Sequence, residues 1–455
     1  MDPDVLAILG DSKTLARQPD FRIEEAQDRH AYHSLRTKVF VERQGLFDTH
    51  DLDARDDDSR TIVLLARDTS GAVLGGVRLG PVDDGPDLGW WTGGRLVVEP
   101  GVRLGVGAAL VRAACARAES AGVLRFEATV QQQNERMFTR LGWDSVRPVT
   151  VAGADHVLMR WPIGRIAALA RSTKSALGSL LHGLTGVPGF VGDDGVPVPG
   201  TDVVAACDAI IPSMVERDPE WAGWCSVLVN LNDLAAMGAE PVGLLDALGA
   251  RDRSFASRVL SGLRRASQAY GVPVLGGHTQ FGVPASLAVT ALGRTSNPVP
   301  GGGGRPGQKV RLTADLGGSW RPGYTGRQWD STSTRSTVEL RAMLGAVAAA
   351  RPAAAKDVSM AGLAGTLGML AEAGGCGAVL DVADVPRPPE ASVGDWFTCF
   401  PGFAMLTAGG PPLDAGPAVS VECGKLVDGR GVTLRWPDGE QTRVIDDDVT
   451  GLGRT

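Results

Sequence analysis

The chain has 455 residues, room for two or three domains at about 150 residues each, which excludes a single small module. Charged residues make up 21% and apolar types 43%, ordinary globular proportions that exclude wholesale disorder. Lys and Arg total 45 against 52 Asp and Glu, a formal charge of -7, so the basic footprint that would drive nucleic-acid binding is missing. Glycine stands out instead: 61 of 455 residues, about 13% against a usual share of roughly 7%, implies many tight turns or close backbone approaches. The six cysteines (115, 207, 225, 376, 399 and 423) form no C-x-x-C pair, which argues against a zinc knuckle or a disulfide framework and fits a reducing compartment. The first thirty residues carry Asp2, Asp4, Asp11 and Asp20 with no apolar leader core, and no apolar run of about 18 residues occurs anywhere. The expectation is a cytoplasmic protein that engages no membrane.

In chain order, residues 20–161 alternate strand-like and helix-like stretches. Residues 163–190 place Ile166, Leu169, Ala170, Leu177, Leu180 and Leu181 at helical spacing and predict a helical connector. From 190 to about 412 the pattern is again α/β, broken by PVPGGGGRPG at 298–307 and by a Ser/Thr/Arg stretch at 321–337, both expected as flexible loops. Asp428-Gly429 and Asp438-Gly439 between short strand-like runs predict a small β meander at the end. The expected division is 1–162, the connector 163–190, a bipartite module of 191–300 and 301–416, and a β extension at 417–455.

Two segments carry chemistry. Residues 94–121 (GRLVVEPGVRLGVGAALVRAACARAESA) read as a β-run, a glycine loop and a helix stopped at Gly122. Gly105 and Gly107 stand at the helix entrance, where unpaired N–H groups and the positive dipole end suit a diphosphate, although two glycines before a helix also describe a plain turn. A half-buried strand follows (Leu124, Phe126, Ala128, Val130), then QQQNERMFTRLGW at 131–143. This set resembles the GNAT acyl-CoA N-acyltransferases, with their L-x-V-x-P strand, G-x-G turn and N…F…LGW order. Residues 35–57 (LRTKVFVERQGLFDTHDLDARDD) resemble the R..VF..EQ…D.D..D opening of one GNAT branch.

The resemblance, over about 130 residues, implies that Val98 and the backbone of Val102, Arg103, Leu104, Gly105, Val106, Gly107 and Ala108 hold acetyl-CoA or another acyl-CoA. It also places Asn134 on the pantetheine arm. Val102 stands where the family has Gln or Arg, and Thr139 replaces the Tyr that many members use as an acid. Glu42 and Glu99 are the candidate catalytic bases, each equally readable as a surface carboxylate. The acids Asp48, Asp51, Asp53, Asp56, Asp57 and Asp58 read most simply as a solvated loop, able to attract a cationic amine by its field.

In the second segment, Gly192-Asp193-Asp194 precedes the apolar strand TDVVAACD at 201–208, and WCSVLVNLNDLAAMGAEP at 224–241 puts Asn230 and Asp233 on one helix face. Oxygen ligands from strand ends and a helix face suit Mg²⁺ on nucleotide phosphates, while any one of these acids could instead cap a turn. The order GDD…CD…VNLNDLAAMGAEP…GGHT, with KDVSMAGLAGTLGMLAEAGG at 356–375 and Phe400-Pro401-Gly402-Phe403, resembles the AIR synthase (PurM-like) superfamily over about 220 residues. Thiamine-monophosphate kinase and selenophosphate synthetase are relatives in it.

That resemblance implies metal ligands at Asp193, Asp194, Asp208 and Asp233, and ATP contacts near Asn230, Asp357 and Ser359. The kinases' G-G-D-T acid is His278 here, a possible base, metal ligand or neutral hydrogen-bonded ring. The Asp of their S-D-G-L is Met360. The expected fold class is α/β (α+β), a GNAT domain with a central mixed sheet followed by a bipartite PurM-like module that pairs as a homodimer. The expected function is acyl transfer from acetyl-CoA to a small amine or amino-acid-like acceptor, with ATP and Mg²⁺ used by the second module to phosphorylate or activate a linked metabolite. The arrangement resembles acyltransferase–AIR synthase fusions found with nitrogen-starvation and nitrilase gene groups, hence nitrogen metabolism. The alternative is a second module that senses nucleotide and dimerises the chain without catalysis.

Overall fold

The computed structural model describes residues 21–102, 105–175, 177–184 and 186–453. The chain divides into two compact units, Met1–Ile163 and Gly164–Thr455, so the connector belongs with the second.

The first unit is one seven-stranded sheet of β1 (Phe21–Glu25), β2 (Ile62–Asp68), β3 (Val73–Pro81), β4 (Trp90–Val98), β5 (Arg125–Gln131), β6 (Asp144–Val151) and β7 (Ala154–Trp161) in the order β1-β2-β3-β4-β5-β7-β6. All neighbours are antiparallel except β4 and β5, which the helix Val106–Ser120 connects. Alternation along β2 sends Leu64 and Ala66 to the core under that helix, where Leu110, Ala114 and Ala118 meet Trp91 and Phe126. Val63 and Leu65 point to the other face, against Tyr32, Leu35, Val39 and Phe40 of the helix His30–Arg36 and the π-helix Thr37–Arg43.

The second unit holds two larger sheets. Strands β8 (Val196–Pro197), β9 (Val203–Ile210), β10 (Glu240–Ala250), β11 (Val274–Phe281) and β12 (Ser286–Arg294) run β11-β10-β12-β9-β8. The other sheet comprises β13 (Lys309–Ala314), β16 (Ala354–Asp357), β17 (Gly377–Asp381), β18 (Ala404–Ala408), β19 (Val419–Val427), β20 (Val432–Arg435) and β21 (Gln441–Ile445), in the order β16-β18-β13-β19-β17-β20-β21. The tail is therefore no separate meander. β19 lies between β13 and β17, and β20 pairs parallel with β17.

The helix Pro219–Ala236 is apolar nearly all round and is buried accordingly, in a core that reaches from Val204 and Val289 of the first sheet to Ala355 and Met405 of the second. It crosses the helix Arg253–Tyr270 at two glycines: a Cβ on Gly262 would lie 1.8 Å from the Glu220 carbonyl oxygen, and one on Gly223 would lie 2.1 Å from that of Val259. The connector helix Arg165–Lys174 buries Ile166 and Ala170, and Arg165 pairs with Asp395 at 2.7 Å.

Both expected loops are tied down. Within 321–337, Trp329–Asp330 (β15) pairs with Ser319–Trp320 (β14), Gln328 and Thr332 accept from the indoles of Trp221 and Trp224, and Arg335 pairs with the buried Asp315 at 2.6 Å. Within 298–307 the glycines serve close approach: a Cβ on Gly303 would sit 1.8 Å from the Ala353 carbonyl oxygen. All six cysteines are free thiols, and among the described residues no helix is long and apolar enough to cross a membrane.

Gly262→Ala should force the two crossing helices apart and cost about 1–3 kcal/mol, read as a lower denaturant midpoint with unchanged slope.

Candidate functional sites

In the first unit, β4 and β5 stay paired only from Trp90↔Arg125 to Gly93↔Ala128. Beyond Gly93, β4 pairs with β3 alone, so the two parallel strands part and open a cleft. A bulge marks the opening: register shifts between Gly76 and Arg78, and Arg95 adopts a left-handed φ of 51°. Tyr32 Oη donates to the Arg95 carbonyl at 2.7 Å and holds the bulge in place.

The cleft is a cavity of about 450 Å³ whose walls include Val98, Gly107, Phe126, Asn134 and Phe138. At one end the helix Val106–Ser120 begins at Gly105, whose φ of 71° no other residue adopts cheaply, with no capping side chain and no acid in its first turn. Its leading N–H groups, those of Val106, Gly107 and Ala108, are placed to receive an anion. Val102 packs against the core below, while Arg103 and Leu104 lie outside the described residues. Neither Glu42 nor Glu99 lines the cavity: Glu42 is exposed on the π-helix, and Glu99 pairs with Lys38. The Thr139 hydroxyl donates to the Glu135 carbonyl at 3.1 Å, also away from the cavity.

Only part of the acidic run is a solvated loop: Asp48 and Asp57 are exposed, whereas Asp51, Asp53, Asp56 and Asp58 are paired with arginines. Asp51 and Arg36 are 2% and 0% exposed and pair at 2.7 Å. Arg36 also holds Asp56 at 2.6 Å, Arg78 holds Asp56 at 2.7 Å and bridges to Asp53, and Arg95 reaches Asp51 at 3.0 Å and Asp53 at 3.2 Å. Burial alone would push the Asp56 carboxyl up, but Arg36 and Arg78 together hold it well below the usual carboxylate range. Within this network three guanidinium groups meet three carboxylates.

In the second unit, carboxylate oxygens of Asp194, Asp233 and Asp357 all lie within 4.8 Å of one another. The helix Pro219–Ala236 supplies Asp233, the end of β16 supplies Asp357, and the turn before β8 supplies Asp194. Lys356 Nζ donates to Asp194 Oδ1 at 2.6 Å and to the Gly192 carbonyl at 2.9 Å, and the Asp357 N–H donates to Asp194 Oδ2 at 2.9 Å. Burial, then mutual repulsion, raises the Asp233 and Asp357 carboxyls well above the carboxylate range. Asp357 Oδ2 and Asp193 Oδ1 are buried without a hydrogen-bond partner. Asp193 Oδ2 accepts from the Gly301 N–H at 2.9 Å, and burial lifts this carboxyl to about 6. Clustered hard oxygen donors with an unpartnered lone pair fit a divalent cation such as Mg²⁺.

Asn230 positions rather than ligates: its Oδ1 accepts from the Asp208 N–H at 3.1 Å and its Nδ2 donates to the Ser226 carbonyl at 2.8 Å. Asp208 itself stands outside the close triad, exposed on β9. The Ser359 carbonyl accepts from Gly362, and Met360 beside it is 42% exposed. His278 is elsewhere: it sits on β11, an edge strand exposed along all eight residues, with β10 and β12 between it and β9.

Residues 23–143 match the acetyltransferase (GNAT) family, 192–295 the AIR synthase related protein N-terminal domain, and 305–427 the AIR synthase related protein C-terminal domain. An uncharacterized protein of Synechocystis sp., sll0787, is 34% identical over 224 residues, which cover 48% of this chain and 69% of that protein. This chain is a GNAT domain fused to an AIR synthase related module. The fusion is also 33% identical to the uncharacterized protein MJ0640 of Methanocaldococcus jannaschii, over 41% of this chain and 60% of that one. It is 32% identical to a thiamine-monophosphate kinase of Halobacterium salinarum, over 42% and 69%. Among solved structures, T. maritima PurL complexed with FGAR is similar in fold, with 17% identity and a TM-score of 0.51 over 62% of this chain and 53% of that one.

Sequence reasoning passed over Lys356, Arg43 and His156. A lysine inside the apolar run AAAKDV was the one available signal for the first. Arg43 and His156 reach the GNAT cleft only through the fold.

Asp233→Asn should relieve buried repulsion in the AIR synthase related module. Because both carboxyls are raised, their ionised forms weaken the metal-free fold at neutral pH, so stability should rise as pH falls toward their protonation range. At pH 7 the variant should be more stable than the parent in the absence of metal and lose any stabilisation by Mg²⁺. Calorimetry with and without the cation reads both.

Proposed function

We propose that the GNAT domain transfers an acyl group, in the first instance acetyl, from coenzyme A to a small amine, and that the AIR synthase related module binds ATP with Mg²⁺ to activate a linked metabolite in nitrogen metabolism. The observation that carries the first half is the cleft between β4 and β5, continuous with an uncapped helix start at Gly105. Acyl-CoA supplies an activated thioester there. The N–H groups of Val106, Gly107 and Ala108 would take the diphosphate, and the parted edges of β4 and β5 would seat the pantetheine beside Val98 and Asn134. Phe126 and Phe138 exclude water from the thioester end.

For the second half, the support is the Asp194, Asp233 and Asp357 cluster together with similarity to thiamine-monophosphate kinases. These three acids would hold Mg²⁺, whose chemistry is to neutralise phosphate charge. Lys356 keeps the carboxylates together in the meantime. A homodimer through this module is supported by β11, whose Leu275 and Phe281 are each 55% exposed on an unpaired edge, with Leu245 exposed at 40% on the neighbouring β10. The cytoplasm remains the proposed location.

A second reading keeps the acyltransferase and makes the AIR synthase related module a nucleotide sensor. It is favoured by the exposed Met360 in place of the kinases' acid and by the separation of His278 from the acid cluster. Sustained ADP release in the presence of candidate amines and their acetylated products supports catalysis, whereas ATP binding without turnover supports sensing.

Acetyl-CoA at 100 times its dissociation constant should stabilise the GNAT domain by about 2.7 kcal/mol. Gly107→Trp, which places an indole in the cleft beside Val98, should abolish that shift and leave the response to ATP with Mg²⁺ intact; thermal shifts with each ligand test both points.

A further inference from the structure

We infer that the acyl acceptor is an amine carrying a carboxylate, seated by Arg43 and deprotonated by His156. This rests on the acyltransferase reading and goes beyond it by naming the substrate class and the base. Among the described residues no Asp or Glu lines the cleft. An ammonium group entering it therefore finds no counter-charge. Arg95, which also lines it, is already committed to Asp51 and Asp53. Arg43 is different: it is the last residue of the π-helix, it lines the cleft, and it has no hydrogen bond or ion pair among the described residues. π-helical turns recur at functional sites because they turn a side chain out of regular register. A free guanidinium at the mouth of a cavity with no acids selects for an anion, and its planar fork suits a carboxylate.

The base follows from the same face of the sheet. His156 on β7 is directly opposite Gln131 on β5, so the two side chains share a face. Gln131 Nε2 donates to Gln44 Oε1 at 3.1 Å, which puts that face against the end of the π-helix, next to Arg43. The helix Val106–Ser120, with its diphosphate-binding start, packs on the opposite face. Acceptor and coenzyme thus approach the parted strands from two sides. His156 is 8% exposed and lines the cleft, and its Nδ1 lies 2.9 Å from the Ala154 carbonyl oxygen. A carbonyl only accepts, so in the neutral ring Nδ1 carries the proton and Nε2 keeps a free lone pair.

The step balances as follows. The amine nitrogen attacks the thioester carbonyl carbon, its proton passes to His156 Nε2, the new C–N bond forms, and the C–S bond breaks. Coenzyme A leaves as the thiolate and takes a proton from the imidazolium or from water, which accords with Thr139 lying away from the cleft.

The test uses the full chain, with thiol release from acetyl-CoA as the readout. α- and ω-amino acids with apolar side chains or spacers are compared with their amides and with the amines lacking the carboxylate. The expected result is a kcat/KM at least about tenfold higher for the carboxylate-bearing member of each pair. Arg43→Gln should raise KM for the amine about 10- to 100-fold and remove the preference. His156→Gln should lower kcat about 10²- to 10⁴-fold with KM nearly unchanged. Both variants are first shown to retain acetyl-CoA stabilisation, which certifies the fold. Equal or better use of amides and simple amines, or unchanged kinetics in either variant, overturns the inference. Acetyl-CoA binding with no amino acid accepted also overturns it and leaves the acyltransferase reading standing, whereas failure of acetyl-CoA to bind at all removes both.

Discussion

Each unit places ionised groups where water hardly reaches, and a buried charge is tolerable only when something compensates it. How completely that is done separates scaffold from site. In the GNAT domain Arg36, Arg78 and Arg95 meet Asp51, Asp53 and Asp56 one for one, so the network is closed. It pins the π-helix and the Arg95 bulge to the sheet and leaves nothing for a ligand. In the AIR synthase related module Asp194, Asp233 and Asp357 share, among the described residues, one ion-paired ammonium, that of Lys356. The shortfall keeps two carboxyls raised and one oxygen unpartnered, and it makes a cation welcome.

The closed network has a further effect on the cleft. Because Arg95 is held from behind by Asp51 and Asp53, β4 stays kinked at its bulge and cannot rejoin β5. The gap is thus a consequence of side-chain charge as much as of strand register. With Arg95 neutralised, Arg43 is the unpaired arginine that lines the cleft among the described residues.

Much of the fold was legible. Period-two alternation at Leu124, Phe126, Ala128 and Val130 marked β5, and the spacing of Leu110, Ala114 and Ala118 marked the helix before it. Asp194 and Asp233 stand at positions read as metal ligands, but Asp357, which closes the triad, was read as an ATP contact, and Asp193 and Asp208 lie outside the tight triad. The two loop expectations failed for a common reason: polar and glycine-rich composition can report tight packing as readily as chain freedom. Gly303 is small because the Ala353 carbonyl occupies the space, and Gln328 and Thr332 are polar because buried indoles need acceptors. The tail misled because strand order is not chain order, and β19 is inserted beside strands far from it in sequence.

The sequence by itself determined which stretches become strands and helices, where the helix after the glycine turn at Gly105 begins, and which acids stand at motif positions, because these depend on periodicity and on neighbours a few residues apart. Only the tertiary structure decided which charges cancel. Asp51 and Arg78 are 27 positions apart yet share one network, and Asp194 meets Lys356 across 162 positions. Electrostatic interaction depends on distance through space and on the exclusion of water, and neither quantity is written in the order of residues.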